Sequence, residues 1–441
     1  MRKYNSYKSS GVEWIGDIPE KWDLIKLKYI SNLYNGSSLN DNQKELFESS
    51  NMDDIPYVST KDIDYNTQSI EYDNGLRIPK SNTSFKLGKK GSFLLCIEGG
   101  SSGKKMGFLE QDVYFVNKLC CFEPKTNGKY QYYLIQTPLF QTQFYSSLSG
   151  LIGGVSISLI RNFISITPPL QEQEQIVKYL DEKTSIIDKL ISIKQRKVEL
   201  LQEQRTTLIN QVITKGLNPN VKMKDSGVEW IGEIPEGWIV GKLKNYSELK
   251  ISSVDKHIYE YERQVIVCNY TDVYYNEFIT NELELRKGSC SEDEYNKFKL
   301  NKGDVIITKV SESPTDIGVP SLVNDDFENV VCGYHLSIIK PSKNKLVGSY
   351  LFRQLQTKRI RSYYEVCSNG ITRFGLGKSS VLDTPLIIPP VNQQQEIVEY
   401  LDKQTKEIDD LVSMEQNKIE LLKEYRQSLI SEVITGKLKV V

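Results

Sequence analysis

Three groups of residues in this 441-residue chain have types and spacings that could do chemistry. Asp112 followed by Glu123-Pro-Lys125 has the spacing of a metal-dependent nuclease centre. The matching place in the second half reads Ile339-Lys340-Pro341 and lacks the carboxylate, so Glu123 and Lys125 read as a strand-end turn. Gly377-Lys378-Ser379 looks like the end of a phosphate loop, whose first glycine would fall where Thr372 stands. Gly103-Lys104 fails in the same way, with Glu98 where glycine is needed. The seven cysteines are odd in number and have no CxxC spacing, and the only histidines are His257 and His335. That pattern argues against a zinc site and for reduced thiols. Cys120 and Cys121 belong to the strand-like run VYFVNKLCCFEP. No Asn-Pro-Pro-Tyr type segment and no glycine-rich methyl-donor loop is present. The expectation is a chain that catalyses nothing and carries no metal.

Binding chemistry is better represented. Between Lys340 and Tyr364 stand seven basic residues and no acid: Lys340, Lys343, Lys345, Arg353, Lys358, Arg359 and Arg361. Tyr350, Phe352, Tyr363 and Tyr364 interleave with them. The whole chain is nearly neutral, with 56 Lys+Arg against 57 Asp+Glu, so a cationic face here is a local feature suited to phosphates. The loops Ser101-Ser-Gly-Lys104-Lys105 and Thr372-Arg373 add small donors and cations on permissive backbone. Such groups contact phosphate or reach base edges. Lys61 joins them as a candidate DNA contact.

Two long helices must position these groups. One runs from Pro168 to Gly216 and its counterpart from Pro389 to Lys437, each opened by a proline pair and free of internal proline. Ile187, Leu190, Val198, Leu201, Leu208 and Val212 form one apolar stripe. Ile408, Leu411, Ile419, Leu422, Leu429 and Val433 repeat it 221 positions later. The spacing predicts a coiled-coil seam on helices about 60–70 Å long.

A second repeat precedes each helix. Ser10–Trp22 reads SGVEWIGDIPEKW and Ser226–Trp238 reads SGVEWIGEIPEGW, and together they hold all four tryptophans. Trp14, Trp22, Trp230 and Trp238 are expected to anchor each module to a helix. Fainter parallels lie between. Tyr57–Ile63 resembles Val267–Val273, and Lys90–Leu95 resembles Lys302–Ile307, each a turn and a strand. Glycine-bearing loops follow at 98–107 and 310–318, short helices at 130–147 and 348–364, and second loops at 149–156 and 368–377. The predicted class is α/β: two mixed α/β modules separated by an antiparallel pair of long coiled-coil helices, related by a pseudo-two-fold internal repeat. Shared scaffold with different loops suits two readers of different targets, held apart by a rod along DNA.

The repeated SGVEWIGxIPxxW segment resembles the start of a target-recognition domain in specificity subunits of Type I restriction–modification systems. So do Pro168-Pro-Leu-Gln-Glu-Gln173 and Pro389-Pro-Val-Asn-Gln-Gln394, each leading into a long helix. The resemblance covers nearly the whole chain. It implies recognition domains at 1–168 and 226–389, spacer helices at 169–215 and 390–441 (the latter with the C-terminal tail), and a linker at 216–225. It further implies a non-catalytic subunit without a cofactor. Its partners would be double-stranded DNA, two methyltransferase subunits and two restriction–translocase subunits, which use S-adenosylmethionine, ATP and Mg2+. Each domain would read one half of an asymmetric bipartite site, the helices setting the gap. The family's recognition domains vary, so no base contact carries over. With no membrane-spanning run and no signal core, a cytoplasmic location is expected. The competing reading is a coiled-coil adaptor with two protein-binding heads. A self-sufficient restriction–modification enzyme is disfavoured by the missing motifs.

Overall fold

A computed structural model describes residues 3–48, 51, 53–149 and 153–440. Gly150, Leu151 and Ile152 of the predicted loop at 149–156 lie outside the described residues. The chain divides into two compact units, one of residues 1–194 and 417–441, the other of residues 195–416. Each unit therefore contains a module and a half of each long helix, rather than leaving the helices as separate bodies. The cause is burial: each helix half places its apolar stripe on the module of its unit.

In the first unit, Ser31–Asn35, Leu119–Pro124, Phe93–Cys96 and Met106–Phe108 form an antiparallel sheet in that order. A second sheet takes Arg77–Ile78, Ile55–Val58, Val113–Phe115 and Leu87–Gly88, with a parallel pairing between Ile55–Val58 and Val113–Phe115. The other unit repeats this plan. Ser247–Ile251, Leu336–Pro341, Val305–Thr308, Pro320–Val323 and Phe278–Ile279 form the larger sheet. Arg286–Cys290, Arg263–Cys268 and Val330–Cys332 form the smaller, again with a parallel pair, Arg263–Cys268 beside Val330–Cys332. The turns Lys90–Ser92 and Lys302–Asp304 lead into equivalent central strands, as their sequences imply. Six of the seven cysteines are buried, and Cys121 in the strand Leu119–Pro124 is pushed up to about 12 by that burial.

The predicted short helix of each module is two helices: Gly128–Ile135 and Pro138–Ser146, then Gly348–Leu355 and Lys358–Cys367. Pro138 explains the first break, since a new helix tolerates proline at its start and an old one does not continue through it. Both breaks share a threonine whose hydroxyl donates back to the preceding turn: Thr137 to the Leu134 carbonyl at 2.7 Å, Thr357 to the Gln354 carbonyl at 2.6 Å.

The long helices span Leu170–Lys215 and Val391–Ile434. In the first unit, Ile176, Leu180 and Ile187 share a core with Leu429, Ile430, Val433 and Ile434. In the other, Ile209, Val212 and Ile213 share one with Ile397, Val398 and Leu401. Early residues of one helix meet late residues of the other each time, so the pairing is antiparallel. The repeat extends to its ion pairs. Arg426 Nε lies 2.9 Å from Asp188, and Arg205 Nε lies 2.9 Å from Asp409, the same two positions exchanged. Of the predicted stripe, Ile187, Val198, Val212, Ile408, Ile419, Leu429 and Val433 are buried, while Leu201, Leu208 and Leu422 are half-buried. Leu190 and Leu411 are corrections: they are 41% and 40% exposed. A step of four from Ile187 and Ile408 reaches Ile191 and Val412, which turn inward in their place.

The tryptophans divide likewise. Trp22 and Trp238 are buried, and their indole N–H groups donate to Glu172 at 3.0 Å and Gln393 at 2.8 Å at the helix starts. Trp14 and Trp230 are not buried anchors; they are 50% and 41% exposed, and Trp230 stacks on Tyr363 with ring centroids 5.9 Å apart.

Candidate nucleic-acid interface

The glycine-bearing loops of each module converge because strand pairing draws their bases together. In the first unit, Val155 N donates to the Ile97 carbonyl and Gly99 N to the Gly153 carbonyl, both at 3.0 Å, which holds the loop at 153–156 against that at 98–106. Lys105 Nζ donates to the Thr60 carbonyl at 2.9 Å and so ties in the segment bearing Lys61. Lys61 and Lys104 are exposed, and Ser101 and Lys105 half-buried. The structure thus brings these four predicted residues to one surface. Gly103 sits at φ +75°, and an added Cβ there would lie 2.9 Å from the Phe144 ring, so the turn presenting Lys104 requires glycine.

In the other unit, Val310–Ser311 pairs with Phe374–Leu376, which pairs with Ser368–Gly370. Thr372 and Arg373 stand exposed at the hairpin tip. Arg373 borders a cavity of about 710 Å³ that also takes Lys256, Arg286, Tyr270, Tyr274 and His335. Sequence reading passed over these last five, and only His335 was weighed there, as a metal ligand. His335 carries the clearest mark in the structure: it holds φ +70°, rare for a residue with a side chain. Burial first, then the charges of Arg373, Lys256 and Lys309, hold its imidazole below the ordinary value of 6.5. Lys256, Arg286, Lys287 and Arg373 line the cleft together with the carboxylates of Asp255, Glu312 and Asp316. Its wall is aromatic: Tyr270 and Tyr274 stack with centroids 5.7 Å apart. Tyr274 donates to the Asp316 carboxylate, and that bond pushes the phenol up to about 12. Arg361 lies 3.8 Å from the same carboxylate and donates to the Thr315 carbonyl at 3.3 Å, so it braces this wall. Cations flanked by stackable rings suit a phosphate backbone and exposed base edges.

The predicted basic face at 353–361 does not exist as one surface. The break before Lys358 rotates the two helices apart. Arg353 is only 2% exposed; its Nη2 lies 2.8 Å from Asp402 and its Nη1 3.0 Å from Gln356. It joins its module to the second long helix and is corrected from DNA contact to structural ion pair. Arg359 Nη1 donates to Thr214 at 3.2 Å and so faces the first long helix, whereas the Lys358 backbone N–H donates to Asn210 at 2.9 Å and its side chain stays exposed. Tyr350, Phe352 and Tyr364 are buried core residues and cannot stack on bases. Lys340 pairs with Asp304 at 2.7 Å.

The nuclease-like residues are occupied otherwise. Glu123 pairs with Lys89 at 2.7 Å, a bond that holds its carboxyl below the usual range, and Asp112 accepts from Lys90 N at 2.8 Å. Among the described residues no His, Cys, Asp and Glu group could hold a metal ion, and no helix is long and apolar enough to cross a membrane.

Comparison with known proteins gives the family. The family described as "Type I restriction modification DNA specificity domain" matches residues 19–202 and again 237–421. The chain is 21% identical over 435 residues to the Type I restriction enzyme MjaVIII specificity subunit of Methanocaldococcus jannaschii, covering 96% of this chain and 94% of that one. A putative MjaX specificity subunit of the same organism is 27% identical over 283 residues, 62% of this chain, and the match spans 59% of that relative's length. Among solved structures, a chain from work on complex assembly and conformational transition of the type I R-M system superposes with a TM-score of 0.71 at 14% identity, covering 96% of this chain and 99% of that one. The HsdS subunit of Thermoanaerobacter tengcongensis gives 0.50 at 15% identity, covering 96% of this chain and 98% of its own. The two matched segments fall one on each module and its long helix, and the chain belongs to the Type I restriction–modification DNA specificity family.

Proposed function

We propose that this chain is the non-catalytic reader of its complex, each module binding one half of an asymmetric bipartite DNA site. The observation that carries this reading is the contrast within the repeat. The scaffold recurs down to exchanged ion pairs and tryptophan–helix bonds, whereas the loops that converge on each module differ in every charge-bearing residue. Lys61, Ser101, Lys104 and Lys105 serve one half-site; Thr372, Arg373 and the cleft around His335 serve the other. Arg359 and Lys358 support the second module against the helix. The antiparallel helices set the unread gap and offer surface to two methyltransferase subunits, with two restriction–translocase subunits completing the assembly. S-adenosylmethionine, ATP and Mg2+ belong to those partners and not to this chain.

The test is a gel shift on duplex DNA with the purified chain, alone and with its methyltransferase subunit. Sequence-selective binding whose affinity falls steeply with salt supports the reading. Binding to protein but to no duplex favours the adaptor with two protein-binding heads.

A further inference from the structure

The two modules have drifted apart: the equivalent strands Phe93–Cys96 and Val305–Thr308 share no residue. Yet Ser10–Trp22 and Ser226–Trp238 differ only at Asp17/Glu233 and Lys21/Gly237. Most of that retained segment has a structural reason. Ser10 and Ser226 donate to the Val12 and Val228 carbonyls at 3.1 Å. Gly11, Gly16, Gly227 and Gly232 hold φ between +72° and +74°. Ile18, Trp22, Ile234 and Trp238 are core. Glu13, Trp14 and Glu229 have no such reason and Trp230 has only a ring stack on Tyr363, for all four side chains are exposed. An indole kept 50% exposed at one turn and 41% exposed at the other, on otherwise braced backbone, offers the same surface twice to something outside the chain.

We infer that each Glu-Trp turn docks one copy of the same protein subunit, presenting an apolar slot for the indole and a Lys or Arg for the carboxylate. Identical turns on divergent modules require identical partners, which excludes the half-site DNA, because that differs between modules. Tryptophan is among the residues that dominate protein interfaces when covered. At the second turn the receptor for the partner is partly formed. Trp230 stacks on Tyr363 at 5.9 Å and borders a cavity of about 900 Å³ with Thr214, Lys358, Arg359 and Val366. The inference rests on the reading above in one respect: the subunit present in two copies is taken to be the methyltransferase.

The experiment measures methyltransferase-subunit binding to the full chain, by native mass spectrometry for copy number and calorimetry for affinity. Trp14→Ala and Trp230→Ala are each expected to weaken one site by at least about 30-fold and leave one copy bound. The double variant loses both copies, and Glu13→Lys/Glu229→Lys weakens both sites. The DNA affinity of the free chain stays at its wild-type value, and melting falls only slightly where Trp230→Ala loses the Tyr363 stack. Two copies bound by the double variant within threefold of wild-type affinity would overturn the inference, as would loss of DNA binding with the subunit still held. Absence of any binding by the wild-type chain would instead remove the functional reading on which the partner's identity rests.

Discussion

Arg353→Ala separates a structural arginine from a DNA contact more sharply than any other substitution. The guanidinium is buried, with Nη2 2.8 Å from Asp402, Nη2 3.2 Å from Thr405 and Nη1 3.0 Å from Gln356. Asp402 is half exposed, so its share is screened and contributes about 1 kcal/mol or less. The bond to Thr405 joins a charged donor to a buried acceptor and contributes about 1.5–3 kcal/mol, and the bond to half-buried Gln356 adds about 1 kcal/mol, before non-additivity. Truncation also leaves a space against the Phe352 ring, 5.2 Å from the guanidinium carbon. A net loss of about 3–4 kcal/mol follows, within the range seen when one partner of a buried pair is removed. For a unit of this size that lowers the melting temperature by roughly 6–16 °C. Calorimetry should show the shift in the transition of the unit spanning residues 195–416. The slope of log affinity against log salt, taken where the variant is still folded, should not change. A slope reduced by about one, with stability within about 0.5 kcal/mol of wild type, would refute the placement of Arg353 and restore it to the DNA surface.

Arg373→Ala should weaken DNA binding, and methylation mapping should show relaxed discrimination only in the half-site read by the second module, by about 1–3 kcal/mol if the side chain reaches a base. Lys104→Ala/Lys105→Ala should reduce the salt slope by about one to two and leave the sequence read by the first module unchanged. Because the folded His335 resists protonation, the unfolded chain binds more protons below the ordinary value of 6.5, and stability falls as pH drops through that value toward the folded one. Urea unfolding between pH 8 and pH 5 should show this loss, and His335→Asn, which tolerates positive φ, should flatten it. Inserting one heptad into both long helices, beside Ile191 and Val412, should widen the unread gap by about three base pairs, since seven residues rise about 10 Å and straight DNA advances ~3.4 Å per pair.

What the sequence could show was set by range. The long helices were legible because proline pairs mark their starts and apolar residues keep a helical period; the bounds Leu170–Lys215 and Val391–Ile434 lie within a few residues of that reading. The repeat was legible from Ser10–Trp22 and Ser226–Trp238 alone. Single stripe positions were not, because Leu190 and Ile191 are equally apolar and only packing chooses between steps of three and four. The break at Thr357 has no proline to announce it, so Arg353 counted with Arg359 and Arg361 on one face although the structure sends them three ways. The cleft was beyond reach for a different reason. Lys256, Tyr274, Arg286, His335 and Arg373 are scattered over more than a hundred residues and meet only through strand pairing. The one local signal, a histidine at φ +70°, is a backbone property that sequence does not display.

The central claim is that two modules read two halves of one site. Its most direct measurement is a map of methylated adenine in cells carrying the chain with its partner subunits, compared with cells in which residues 226–389 have been replaced by the equivalent module of a relative. The account predicts one bipartite motif in which a single half changes while the other half and the gap remain. A change in both halves, or a methylation pattern indifferent to the replacement, would contradict it.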